Sequence, residues 1–230
     1  MFVFCIFIHL HSYYFFIDTV LLASSHFHNC IKPLYGAVFV GGQSKRMGQP
    51  KFALVYNGST ETKRIAEILG SICKKVVLSS RADLDMSDLE GLSGLDRVND
   101  EHIGLGPVGG LATLMSSFPD AAWLVSACDM PFITEENFQQ LNKERDPLKY
   151  GTCFLKNGRF GFEPLCAIYE PKFIFPLFEA MSRRELSLSK IIKDLQFKCI
   201  PVSDEERYNF TNINSLTEYE AARLKREPNP

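Results

Sequence analysis

Four groups of residues in this chain have the types and spacing to do chemistry on a phosphate-bearing substrate. In the stretch Val38-Phe39-Val40-Gly41-Gly42-Gln43-Ser44-Lys45-Arg46-Met47-Gly48-Gln49-Pro50-Lys51, an apolar run stops on a glycine pair and a cationic loop follows. Glycines lack a Cβ, so their backbone N–H groups can approach a phosphate closely. Arg46 and Lys51 supply the charge a polyphosphate needs. The spacing rejects the P-loop, since five residues lie between Gly42 and Gly48 and no Gly-Lys-Ser/Thr follows. It rejects the dinucleotide pattern G-x-G-x-x-G as well. The plainer alternative is a glycine turn that only joins a strand to a helix.

Asp129 is the second group. It stands abruptly polar after Trp123-Leu124-Val125-Ser126-Ala127-Cys128, as a hard carboxylate for Mg²⁺ would, leaving room for waters and phosphate oxygens. An N-cap for the helix beyond Pro131 is the alternative, although Thr134 and Glu135 are better placed for it. Asp100 is third. It precedes Gly104-Leu105-Gly106-Pro107-Val108-Gly109-Gly110 and is either a second metal or nucleotide contact or a turn residue after Asn99. Fourth, Ser79-Ser80-Arg81 follows a further apolar run, while Asn214, which enters through the resemblance given below, either faces the same site or caps the final helix.

The elements that position these groups alternate along the chain. Strands are expected at Tyr35–Val40, Lys75–Ser79, Asp96–Asn99, Ala122–Cys128, Gly151–Leu155, Leu165–Tyr169 and Lys198–Val202. Helices are expected at Thr62–Ile72, Val108–Ser117, Glu135–Lys143, Lys172–Met181, Ser187–Leu195 and Leu216–Lys225. Ala122–Cys128 is a nearly continuous apolar run, as expected for a central parallel strand covered on both faces. The alternation predicts a single doubly wound α/β domain over 34–230, a mostly parallel sheet with helices on both faces. In such sheets ligands bind beyond the carboxyl ends of the strands. The glycine loop, Ser79-Ser80-Arg81, Asp100 and Asp129 all come just after predicted strands, and that convergence points to a nucleotide site.

Residues 1–33 are expected to lie outside this fold, as a mis-called start would. From Met1 to Ile31 there is no Lys or Arg, one acid (Asp18) and four histidines at 9, 11, 26 and 28. Lacking a basic opening, the segment does not read as a signal peptide. His9, His11 and Asp18 interrupt any run long enough to span a membrane. A tether acting through residues 1–31 is the alternative. The net charge of −2 gives no general drive toward nucleic acid or an anionic membrane. Seven cysteines, odd in number and without C-x-x-C spacing, argue for free thiols in a reducing, cytoplasmic setting.

Taken together, the motifs resemble those of the molybdenum cofactor guanylyltransferase family, a group of Rossmann-like nucleotidyltransferases. Phe39-Val40-Gly41-Gly42 through Lys51 matches its glycine loop, and Asp100 with Gly106-Pro107-Val108-Gly109-Gly110 matches its second loop. Cys128-Asp129-Met130-Pro131 matches its metal motif, and Asn212-Ile213-Asn214 its last conserved loop. The resemblance covers nearly all of 34–226. It implies GMP transfer from GTP to the terminal phosphate of molybdenum-molybdopterin, with release of pyrophosphate. It also implies Phe39, Val40, Gly41, Gly42, Lys51, Ser79, Asp100, Asp129 and Asn214 as nucleotide contacts. Arg46, Lys51 and Asp129 would carry catalysis, with Mg²⁺ on Asp129, and Phe162–Tyr169 would be either the pterin-side strand or ordinary core. Expected partners are GTP, the pterin cofactor, and cofactor-insertion proteins or apo-molybdoenzymes. The double glycine at 41–42 resembles the guanylyl group, whereas Pro50-Lys51 is commoner in cytidylyl and sugar-nucleotidyl relatives. A cytidylyltransferase on the same pterin, a sugar-phosphate nucleotidyltransferase and a non-catalytic carrier therefore stay open.

Overall fold

A computed structural model describes residues 31–41, 47, 50–84, 92, 94–156, 158 and 161–226. Gly42, Arg46 and Gly48 of the glycine loop, and residues 1–30 of the expected extension, lie outside the described residues. The described residues from Lys32 onward belong to one compact unit.

Strand β1 (Leu34–Phe39) pairs in parallel with β4 (Lys75–Ser80) on one side and β6 (Ala122–Ala127) on the other. Beyond β4 lies β5 (Asp96–Asn99), also parallel. Beyond β6 come β8 (Phe162–Tyr169), β7 (Gly151–Leu155) and β9 (Phe197–Pro201), giving the order β5-β4-β1-β6-β8-β7-β9. Only β8 runs against the rest of this sheet. After β1 the chain winds outward through β4 and β5, then returns to place β6 on the other side of β1. That reversal opens a crevice at the carboxyl ends of β1 and β6, where α/β sheets bind ligands.

The helices are α1 (Glu61–Ile72), α2 (Gly106–Ser117), α3 (Glu135–Lys143), α4 (Ile174–Ser182), α5 (Leu188–Lys193) and α6 (Leu216–Arg226). They cover both faces, as β6 shows. All six of its residues are buried. Leu124 packs with Ile65 and Leu69 of α1 and Phe138 and Leu141 of α3. Trp123 and Val125, pointing the other way, pack with Leu111 and Met115 of α2 and with Leu177 and Ile191. Period-two alternation in a strand buried on both sides places every side chain in one core or the other.

Two features depart from the sequence reading. A short hairpin, β2 (Val55–Tyr56) and β3 (Ser59–Thr60), has no counterpart in it. Asn57 and Gly58 make its turn at φ 51° and 77°, the positive angles that suit Asn-Gly in a two-residue hairpin loop. Strand β8 begins at Phe162 rather than Leu165, despite Pro164. Proline has no N–H to give to a ladder. Pro164 is accommodated because the β7–β8 register breaks there, Cys153 pairing with Ala167 and Phe154 with Glu163. A smaller core of Leu54, Tyr56, Ile213 and Ala222, joined by Met47, seats α6 against the hairpin.

Candidate functional site

Lys51 opens a single 3₁₀ turn, Lys51–Ala53, at the far end of the glycine loop. Phe52 is buried in the core, and its carbonyl accepts from Thr62 Oγ1 at 2.9 Å. With Phe52 anchored, the preceding lysine turns toward the crevice. Lys51 Nζ donates to Asp129 Oδ2 and to Asn214 Oδ1, each at 2.7 Å. The Lys51 and Asp129 side chains keep only 16% and 15% of their exposure, so the pair is largely shielded from screening. The other carboxylate oxygen, Asp129 Oδ1, is buried and has no hydrogen-bond partner among the described residues.

Backbone contacts bring these three residues together. Cys128 N donates to Phe39 O at 3.3 Å, carrying β6 pairing up to the residue before Asp129. Ile213 N donates to Asp129 O at 2.8 Å, and the Ile213 side chain is buried, which fixes Asn214 beside the aspartate. The helix-capping alternatives fall to neighbouring residues. Thr134 caps α3 in a capping box with Asn137. At α6, Ser215 Oγ accepts from Glu218 N at 3.3 Å while Glu218 Oε2 accepts from Ser215 N at 3.0 Å. Asn214 and Asp129 are thereby released from capping.

The crevice is a cleft of about 870 Å³. Phe39, Gly41, Lys51, Ser79, Asp100 and Asp129 all line it, so six of the expected contacts share one wall system. Val40 differs: its side chain is in the core, and its N–H donates to Ser79 O at 3.0 Å. Asp100 Oδ1 accepts from His102 N at 2.8 Å and Thr113 Oγ1 at 3.3 Å, so this carboxylate also holds the turn into α2. The glycines of that loop are needed for close approach. A Cβ on Gly109 would come within 2.6 Å of His102 O, and one on Gly110 within 3.0 Å of Ser79 Oγ.

Arg81 and Asp83 also line the cleft; Arg81 belongs to the Ser79-Ser80-Arg81 strand exit that the sequence points to, but neither residue had been assigned a role in the site. Arg81 Nε donates to Asp83 Oδ1 at 2.9 Å and a second guanidinium nitrogen bonds Oδ2, a two-pronged pair. Each partner reinforces the other's charge: the hydrogen bond holds Asp83 below its ordinary value and Arg81 above. An arginine and an aspartate two residues apart at a strand exit were the signal available in the sequence. Cys128 is fully buried beside Asp129, and desolvation and that negative neighbour push its thiol far up, so it is an inert packing group.

Comparison with known proteins gives a consistent result. The family described as the MobA-like NTP transferase domain matches residues 36–199. A "Molybdenum cofactor biosynthesis bifunctional protein" of Synechocystis is 31% identical over 81% of this chain, which spans 53% of that protein, about half its length. A "Probable molybdenum cofactor guanylyltransferase" of Opitutus terrae is 30% identical over 84% of this chain and 96% of its own. The crystal structure of molybdopterin-guanine dinucleotide biosynthesis protein A from Archaeoglobus fulgidus superposes with a TM-score of 0.67 at 24% identity, covering 83% of this chain and 97% of the other. This likeness shows a shared fold. Among the described residues no helix is long and apolar enough to cross a membrane.

Proposed function

The chain belongs to the MobA-like NTP transferase domain family, and on that premise we propose that it transfers GMP from GTP to the terminal phosphate of molybdenum-molybdopterin. The products are the guanine dinucleotide cofactor and pyrophosphate. The observation that carries this reading is the Lys51–Asp129 pair on the wall of a cleft that Gly41 and Ser79 also line, with Asn214 holding the lysine from behind that wall. Residues 34–230 are the catalytic domain in this reading. The free cysteines among the described residues suit a cytoplasmic enzyme. The product passes to insertion proteins or apo-molybdoenzymes.

The terminal phosphate of the pterin attacks the α-phosphorus of GTP in line, and the bond to the bridging oxygen of pyrophosphate breaks. A phosphate nucleophile is already ionised near neutral pH, so no strong base is needed and the protein acts by positioning and charge stabilisation. Lys51, held by Asp129 and Asn214, turns its ammonium onto the triphosphate and steadies the negative charge that leaves. Arg46, from the glycine loop, offsets more of that negative charge. The Gly41 backbone lets phosphate oxygens lie against the loop.

The residues present fit Mg²⁺. Asp129 Oδ1 is a buried hard oxygen with no partner, and no group of three His, Cys, Asp or Glu forms a closed cage among the described residues. Mg²⁺ is commonly bound by one or two carboxylates, with waters and substrate phosphates completing its shell. Asp129 would hold it, and the bound ion would neutralise phosphate charge.

The test is pyrophosphate release from purified protein with Mg²⁺ and molybdopterin, offering GTP and CTP in parallel. Release with GTP is expected. Release with CTP alone would favour the cytidylyl alternative that Pro50-Lys51 suggests, and GTP binding without release would favour a carrier.

A further inference from the structure

We propose that Arg81 and Asp83 read the base of the nucleotide and make it guanine. This deepens the guanylyl reading and rests on it. The pair stands where a base would lie. Arg81 leaves the carboxyl end of β4, two strands from β6 and therefore about 10 Å across the sheet from Asp129. That separation suits a nucleotide whose α-phosphate lies at Asp129 and Lys51. Gly41 connects the two ends: a Cβ there would sit 3.6 Å from Arg81 N and 3.8 Å from Arg81 Cγ. The arginine stem thus flanks the phosphate loop, and its head group lines the cleft.

The strand exit that carries the pair is fixed by its neighbours. Arg97 Nε donates to Ser80 Oγ at 2.6 Å, and its Nη2 donates to the Arg81 carbonyl. Leu84 N donates to that same carbonyl at 3.2 Å, closing the turn around Asp83. The backbone is held while the two side chains stay more than a third exposed, at 37% and 66%. A pair needed only for stability would gain little at that exposure.

The chemistry selects one base. Asp83 presents two oxygens side by side to a two-donor fork, which Arg81 fills with Nε and Nη2. Guanine N1–H and N2–H₂ form the same kind of two-donor fork on one edge. The base displaces Arg81 from Asp83, and the freed guanidinium donates to O6, the acceptor next to N1–H. Cytosine and adenine each offer one donor beside an acceptor on that edge, and uracil one donor between two acceptors. Each would set an acceptor against the carboxylate, a repulsive pairing that leaves the Asp83 oxygens without donors.

Asp83→Asn tests this with GTP, xanthosine triphosphate (XTP) and CTP, reading both turnover with Mg²⁺ and molybdopterin and dissociation constants by displacement of a fluorescent GTP analogue. An amide offers one acceptor and one donor, which matches the N1–H and C2 carbonyl of xanthine. Wild type should prefer GTP. In the variant the XTP-to-GTP ratio should rise by ~10–100-fold in both readouts, the size expected when hydrogen bonds to a charged group are exchanged. Inosine triphosphate separates the two residues: lacking N2, it should be discriminated by wild type but not by Asp83→Ala, while Arg81→Ala should weaken GTP and inosine triphosphate alike. If wild type uses GTP and Asp83→Asn leaves the XTP-to-GTP ratio unchanged, the base-reading role is overturned and the guanylyl reading stands. If wild type uses CTP and not GTP, both are overturned.

Discussion

Lys51 Nζ donates to Asp129 Oδ2 at 2.7 Å across 78 residues of sequence. The same ammonium donates to Asn214 Oδ1 across 163. The cation expected to meet the triphosphate thus rests on the carboxylate expected to meet the metal. Each keeps the other from being a lone charge in a shielded crevice, which would be costly.

The two members of this pair should fail differently. Asp129→Ala removes the carboxylate expected to organise the reacting phosphates, and turnover should fall by at least ~10²–10³-fold with the fold intact. Lys51→Ala leaves Asp129 without its cation, so the Michaelis constant for nucleotide should rise and stability should drop by about 1–2 kcal/mol. Steady-state kinetics with thermal melts on both variants check this, and full activity in both would refute the site.

Gly109 and Gly110 should differ sharply as alanines. The new methyl at 109 would meet the His102 carbonyl, a backbone atom at 2.6 Å that cannot swing aside. Gly109→Ala should destabilise by about 1–3 kcal/mol and weaken nucleotide binding by displacing the loop that Asp100 holds. At 110 the methyl would meet the Ser79 hydroxyl at 3.0 Å, which can rotate, so Gly110→Ala should cost less than about 1 kcal/mol. Urea midpoints compared between the two variants decide it.

Glu61 ties the C-terminal helix to the first one. Its side chain is 1% exposed and accepts from both Arg64 and Arg226, the latter at 2.7 Å. Glu61→Ala leaves two guanidinium groups without their anion and should cost about 3–5 kcal/mol, lowering the melting temperature by roughly 10 °C. Arg226→Ala should cost about 1 kcal/mol, since Arg64 still satisfies the carboxylate. Equal melting temperatures for the two variants would contradict this division.

Cys199 should be the most readily alkylated of the described cysteines near neutral pH. It pairs in register with Cys153 on β7, and the neighbouring Cys153 thiol holds its pKa below the ordinary thiol value. The thiolate is the reactive form, so its alkylation by iodoacetamide should reach its plateau at a lower pH than that of an ordinary thiol. Burial raises the Cys73 thiol to about 12, which keeps it inert near neutral pH. Cys153→Ala removes that neighbour and should move the Cys199 midpoint upward. Peptide mapping at several pH values reads both effects.

Local chemistry made much of this protein legible in its sequence. The apolar run Ala122–Cys128 could only be a strand covered on both faces, and the observed strand at Ala122–Ala127 is buried throughout. Helix α3 starts at the Thr134 cap, where residue types alone place it. Gly41, Asp100 and Asp129 stood out because each follows a strand, and a parallel sheet gathers strand exits at one edge; Ser79, at the end of its strand, came from the family resemblance. Other features needed the tertiary structure, because they depend on contacts between distant segments. Nothing local to Asn214 distinguishes a helix cap from a lysine partner until Ile213 bonds to the Asp129 carbonyl. Pro164 argues against a strand until the register break in β7 accommodates it. Asp83 is an ordinary surface charge, and Arg81 one residue of a strand exit, until the sheet sets both on the wall of the cleft that Lys51 and Asp129 also line.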